Sequence, residues 1–282
     1  MTYDVLGPGA LDYQPCRYAN SKLMFRGPQR NLQEPYIAFL GGTKTYGRFI
    51  ERPFPVLVEE CLGTPCVNFG LPNAGIDAFT LDRFVMDAAA RADAVVLQIT
   101  GAQNMSNRFY TVHPRRNDRF VAPSTLLQSI YPEVDFADFH FTRHLLGHLQ
   151  KVSPDRFAAV RRELQRAWVA RMKLLLGQTS RKCILLWFSD RAPEQNDGDS
   201  AQMCGVGPLF VTRAMLDQVA LDAASLVEVV ASAAAIQKGT KGMIFSPFEE
   251  MAAAQMLGPF AHEECAARLI GEIASLDAKR PA

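Results

Sequence analysis

The chain has 282 residues, 48% of them hydrophobic, and a formal charge of +1. That is enough apolar material for one large domain, or one domain with an insertion. The balanced charge excludes a strong pull toward nucleic acid, and no apolar run is long enough to span a membrane.

The N-terminus has no basic start followed by an apolar run, so it does not read as a secretory signal. Cys16, Cys61, Cys66, Cys183, Cys204 and Cys265 are scattered, with no CxxC pair, and several sit in apolar runs. Free, mostly buried thiols and a cytoplasmic location are the expectation, without a cysteine zinc site.

Residues 1–34 are irregular and rich in Pro, Gly and Tyr, and are expected to form an arm packed on a main domain of residues 35–282. Within the arm, residues 21–27 suit a short strand. PYIAFLGG (35–42) reads as a buried parallel strand ending in glycines. PFPVLVEECLG (53–63) reads as a helix entered through prolines and closed by Gly63. PCVNFG (65–70) is a second strand, running into the turn-rich LPNAGID. Residues 80–92 form an amphipathic pattern with Leu81, Phe84, Val85 and Ala88 on one face, and 92–101 a third buried strand. This alternation predicts right-handed crossovers and a parallel sheet.

Residues 102–123 read as a long polar loop of the kind that carries function. A helical insert is expected over about 124–177, with Ser153 as N-cap and Gly177 as C-cap of its clearest helix. Its arginines, over 156–171, read as a solvated face. A fourth strand follows at 182–190, then a loop at 191–208. Residues 212–232 read as a helix running into a strand near 225–230. An edge strand or extended segment at 241–247 and a terminal helix at 261–276 complete the chain.

A parallel sheet binds ligands at the carboxyl ends of its strands. The polar residues of this chain gather there: 41–47, 70–75, 101–104, the loop after Asp190 and the segment before the last helix. In FHFTRHLLGHLQ, His140, His144 and His148 fall at i, i+4 and i+8, but apolar neighbours and the lack of a carboxylate favour packing over metal binding. Arg108, Arg115 and Arg116 are candidates for gripping a phosphate, sulfate or carboxylate.

FLGGTKTYG (39–47), PFPVLVEECLG (53–63) and CVNFGLPNAGID (66–77), taken in order, resemble the SGNH/GDSL hydrolases. That family carries a GDSxTxG-like loop after strand one, an NxGxxG-like loop after strand two, GxN(D) after strand three and DxxH before the last helix. The likeness is detailed over residues 35–110 and looser at the terminal helix. It implies a three-layer α/β/α sandwich of SGNH or flavodoxin-like form with a mostly parallel sheet. It also implies acyl-ester hydrolysis or acyl transfer by a hydroxyl nucleophile and a histidine base.

Carried over residue by residue, the nucleophile position falls on Thr43 and the base on His262. Gly42, Gly70, Asn73, Gly101 and Asn104, with Arg108 from the adjoining loop, become oxyanion or substrate groups. The departures are many. Gly42 stands where the family has aspartate, Thr43 where it has serine, and Pro259 where it has the triad aspartate. Asn104 lies one residue further from Gly101 than the pattern asks. Three readings stay open. One is an atypical acyl esterase or O-acyltransferase on a polar substrate such as a carbohydrate. The second is an inactive relative that binds a glycan or anionic ligand, and the third is sulfuryl or phosphoryl transfer. No cofactor and no metal are expected, the partner is a small molecule or carbohydrate, and oligomeric state is left open.

Overall fold

Four short apolar runs, each buried along nearly its whole length, and a fifth that is only partly buried build the centre of the molecule. The structure is a computed structural model that describes residues 9–179, 182–196 and 207–278. Residues 1–8 of the expected arm, residues 197–206 of the loop after the fourth strand and Cys204 lie outside them. In chain order the elements are β1 (Ile37–Gly41), α1 (Thr43–Tyr46), α2 (Phe54–Leu62), β2 (Cys66–Gly70), α3 (Asp77–Thr80), α4 (Arg83–Arg91) and β3 (Ala94–Gln98). Then come β4 (Tyr110–His113), β5 (Arg116–Pro123), α5 (Thr125–Ile130), α6 (Thr142–Val152), α7 (Pro154–Gln178) and β6 (Cys183–Ser189). The chain closes with α8 (Arg213–Ala220), β7 (Ser225–Val230), α9 (Ala233–Gln237), α10 (Glu250–Ala253) and α11 (Pro259–Ala278).

The central sheet is five-stranded in the order β2-β1-β3-β6-β7, and every pairing is parallel. Alternating side chains send its residues to opposite faces. Ala38, Leu40, Val67, Phe69, Val95, Leu97, Leu185 and Trp187 pack under α4, α6, α7 and α8. Ile37, Phe39, Val96, Ile184, Leu186 and Phe188 pack under α2 and α11. Both faces being covered explains why the strands read as continuous apolar runs rather than alternating ones. The result is the expected α/β/α sandwich. From the described part of the N-terminal arm, Tyr18, Leu23 and Phe25 enter the first of these cores. Arg26 donates to the backbone oxygens of Tyr46, Gly47 and Glu51 at 3.1, 2.7 and 2.8 Å.

Four local expectations are corrected. The stretch 102–123 is not all loop, because β4 and β5 pair as an antiparallel hairpin. Its anchor is the buried Asn117, whose Oδ1 accepts from the amides of Gly75 and Ala78 at 3.0 Å each, a pairing no hydrophobic period announces. The amphipathic pattern at 80–92 breaks, because Asp82 accepts from the amide of Val85 at 3.2 Å and starts α4 there. Leu81 is left outside the face and exposed. Of the two forms expected for 241–247, an edge strand or an extended segment, the strand is not formed: Ile244 donates to Phe49, and Ser246 with Glu249 makes a capping box. The last helix of the insert runs past Gly177 to Gln178, while Ser153 caps its start as expected. Among the described residues, no helix is long and apolar enough to cross a membrane.

Candidate functional site

The turns leaving β1, β2 and β3 meet over the carboxyl ends of those strands. Gly41 and Gly70 are neighbours in the sheet register, and the amide of Leu71 donates to Gly41 at 3.0 Å. A Cβ on Gly70 would lie 2.3 Å from the amide of Tyr46, so glycine is what lets α1 sit on the end of β2. Gly70 is therefore structural, and it does not line the cleft formed above it. Asn68 fixes the same junction by donating to Thr45 at 2.8 Å and accepting from the Gly70 amide at 2.8 Å.

Thr43 opens α1, and its hydroxyl turns toward the second loop. It accepts from the amide of Asn73 at 2.9 Å and donates to Asn73 Oδ1 at 3.3 Å. Asn73 adopts a left-handed φ of 57°, a conformation asparagine tolerates, which aims its amide at the threonine. Its Nδ2 donates to Asp118 of β5 at 3.2 Å. Asn104 donates to the carbonyl of Asn73 at 2.9 Å and accepts from the Thr142 hydroxyl at 2.7 Å. A chain of polar contacts thus runs from Thr43 through Asn73 and Asn104 to the start of α6.

Gln98, at the end of β3, holds the first loop from below. Its Oε1 accepts from the Gly42 amide at 2.9 Å and from the Thr45 hydroxyl at 3.1 Å. Lys44 points the other way. Its Nζ donates to the carbonyl of Phe188, the last but one residue of β6, and stands 5.7 Å from that residue's ring. Burial pushes the Lys44 ammonium down to about 7, against the pull of the nearby Asp190 carboxylate.

These loops line a cleft of about 990 Å³. It includes Gly42, Thr43, Asn73, Gly101 and Asn104 from the sequence expectations, together with Lys44, Gln98, Gln103, Asp118, Thr142, Arg143 and His144. Its size suits a small molecule. Gln98 stands out in the sequence as one polar residue in an apolar run. Asp118, Thr142 and Arg143 carry no such signal, because only the hairpin and the insert bring them to the sheet.

Besides Gly70, two expected site residues are elsewhere. His262 does not line the cleft. Its ring is buried against Phe54 and Phe188, with centroids 5.6 and 5.2 Å away, and Nδ1 accepts from the Phe54 amide at 3.1 Å. Burial first, then the cations of Arg26 and Lys44, push it down to about 3, so the ring is neutral at physiological pH. Arg108 is turned to Glu163 of α7 at 3.7 Å and is mostly exposed. Neither Arg115 nor Arg116 reaches the cleft. The three histidines of 140–148 do not share a helix face, since α6 starts at Thr142 after His140. His144 and His148 pack on Phe139, with ring centroids 4.8 and 5.1 Å away. No cluster of metal-ligating side chains exists among the described residues.

A family model described as "Domain of unknown function (DUF6473)" matches residues 1–277. No curated protein matches the chain. Solved structures similar to it include a lipase from a goat rumen metagenome, 14% identical over 84% of this chain and 97% of that one, with a TM-score of 0.42. A lipase/acylhydrolase from Enterococcus faecalis is 11% identical over 86% and 97%, with a TM-score of 0.42. A carbohydrate esterase family 2 enzyme with a carbohydrate-binding domain, from Corynascus thermopiles, is 12% identical over 89% and 69%, with a TM-score of 0.40.

Proposed function

The chain belongs to the DUF6473 family, and because that family's description assigns no activity, we propose from the site that this is a divergent SGNH-like protein whose strand-end cleft binds a polar, hydroxyl-rich ligand without hydrolysing it. The observation that carries this reading is the state of the Thr43 hydroxyl. Both of its hydrogen bonds go to Asn73, and among the described residues no histidine or carboxylate touches it. A hydroxyl nucleophile needs a base in reach, or one water away. His262, in the first turn of α11, is spent as an acceptor for the Phe54 amide inside the core. What remains around Thr43 is a set of asparagine, glutamine and threonine groups suited to hydrogen-bonding hydroxyls and amides.

One observation favours a second reading, acyl transfer or hydrolysis with a relocated base. His144 is exposed and lines the same cleft as Thr43 and Asp118. The two readings separate in one experiment on the full chain. Under the binding reading, neutral and acidic monosaccharides raise Tm in the wild type, the shift is lost in Asn73→Ala, and p-nitrophenyl acetate is not turned over above buffer. Turnover that disappears in both Thr43→Ala and His144→Gln would overturn it.

A further inference from the structure

Of the 18 phenylalanines, two are exposed, Phe141 and Phe248, and of these only Phe141 lines the cleft. Phe141 is 43% exposed and stands at the N-cap of α6. Serine, threonine, aspartate or asparagine there would satisfy a free amide, and a phenyl ring satisfies none. Capping therefore does not account for the ring. Backbone geometry does not require it, since φ is −127° and ψ is 138°, extended values that any residue adopts. Core packing does not require it either, because Phe141 belongs to neither side of the sandwich core.

The ring is nonetheless held in place. Phe141 forms an antiparallel bridge with Arg119 of β5, beside the Phe120 amide, which donates to the His140 carbonyl at 3.0 Å. The Arg119 guanidinium stands over the ring, 4.3 Å from its centroid. Arg119 does not line the cleft, so one face of the ring is taken from behind and the other is left to the cleft. The next residue, Thr142, bonds Asn104, which bonds Asn73, so the ring shares one frame with Thr43. Asp118, the residue before Arg119 on the bridging strand, lines the same cleft and is half-buried. Asn73 orients its carboxylate through Oδ2, and Oδ1 has no partner among the described residues. The cleft thus has a propped apolar platform and an oriented, strong acceptor.

We propose that Phe141 is the stacking platform of this cleft and that the ligand is a pyranose ring, its C–H face laid on the phenyl ring and a hydroxyl donated to Asp118. The proposal rests on the binding reading above and names its ligand class. The face of an aromatic ring is electron-rich, and C–H groups beside oxygen atoms carry partial positive charge, so the two attract as edge-to-face rings do. A linear polyol offers the same hydroxyls but no flat C–H face, and it leaves Phe141 in water. A wholly apolar ligand covers Phe141 but desolvates the Asp118 carboxylate without giving it a donor.

The test is proton NMR titration of the full chain with the methyl pyranosides of glucose, galactose and mannose, beside the matching open-chain alditols. At least one pyranoside binds about five- to tenfold more tightly than its alditol. Its ring C–H resonances move upfield on binding, as the current of a phenyl ring beneath them requires. Phe141→Leu, which keeps an apolar side chain but no ring, brings the pyranoside to the level of the alditol and removes the upfield shift. Phe141→Trp keeps both, and circular dichroism confirms that each variant is folded. Asp118→Asn weakens the pyranoside several-fold, and unchanged binding in that variant overturns the Asp118 contact. Equal binding of pyranoside and alditol, or a preference untouched by Phe141→Leu, overturns the stacking platform while the binding reading stands. If neither rings nor alditols bind, both this proposal and the binding reading fall.

Discussion

Lys44 and His262 both lie against Phe188, and burial sets the charge of each. The lysine keeps a carbonyl acceptor and a carboxylate in reach, and burial still brings it down to about 7. The histidine has no opposite charge beside it and is pushed down to about 3. A group whose proton affinity differs between the folded and the unfolded chain couples the fold to pH. The unfolded ring takes up a proton near its ordinary value, about 6.5, and the folded ring does not until about 3. Neutral His262 therefore supports the fold fully above about pH 6.5, and that support is lost as pH falls through the window toward 3. Urea unfolding at about pH 7.5 and about pH 5 reads this out. His262→Leu removes the acceptor for the Phe54 amide and costs roughly 1–3 kcal/mol at the higher pH. Its loss of stability between the two pH values is smaller than that of the wild type. An equal loss in both proteins means that His262 is not buried neutral.

At the level of elements, the polar cross-links decide how the insert meets the sheet. Asp77, in the first turn of α3, is almost fully buried, and its carboxylate accepts from Arg171 of α7 and from the Ser106 amide at 2.8 Å. Arg171 also donates to the Ser106 carbonyl at 3.1 Å. One pair thus ties the longest helix to the loop after β3, directly behind Asn104. The partners differ in exposure, and that makes their loss unequal. Arg171 is partly solvated, so in Asp77→Asn it turns to water, and the cost is about 1–2 kcal/mol. Arg171→Ala strands a buried carboxylate and costs about 3–5 kcal/mol. Chemical denaturation of the two variants checks the order.

At the scale of the whole molecule, the cleft exists because three strand-end turns, a hairpin and the start of α6 pack on one another. Gly75 is where that contact is closest, since a Cβ there would lie 1.6 Å from the carbonyl oxygen of Asn104. Gly75→Ala forces the second and third loops apart, and it is expected to lower Tm and abolish sugar-induced thermal shifts. Gly42 is different: its φ is −86°, and a Cβ would find neighbours no nearer than 3.7 Å. Gly42→Ala changes stability by less than about 1 kcal/mol. If the two variants behave alike in a melting experiment, the packing described between Gly75 and Asn104 is wrong.

The sequence by itself determined the sheet. Four apolar runs closed by glycine or polar residues, with a fifth, partly exposed run at the sheet edge, admit little besides a parallel α/β sandwich, because strands buried on both faces must be apolar throughout. It also placed Thr43, Asn73, Gly101 and Asn104 at strand ends, where local spacing and topology suffice. Only the tertiary structure decided what those residues face. Whether a histidine in the first turn of a helix points to a cleft or into a core depends on the neighbouring helix, and here α2 supplies Phe54 to cover it. The contributions of Asp118, Gln103, Thr142 and Arg143 arise from packing a hairpin and an inserted helix against the sheet edge. Such long-range contacts leave no periodic trace along the chain, because they are set by which surfaces bury each other.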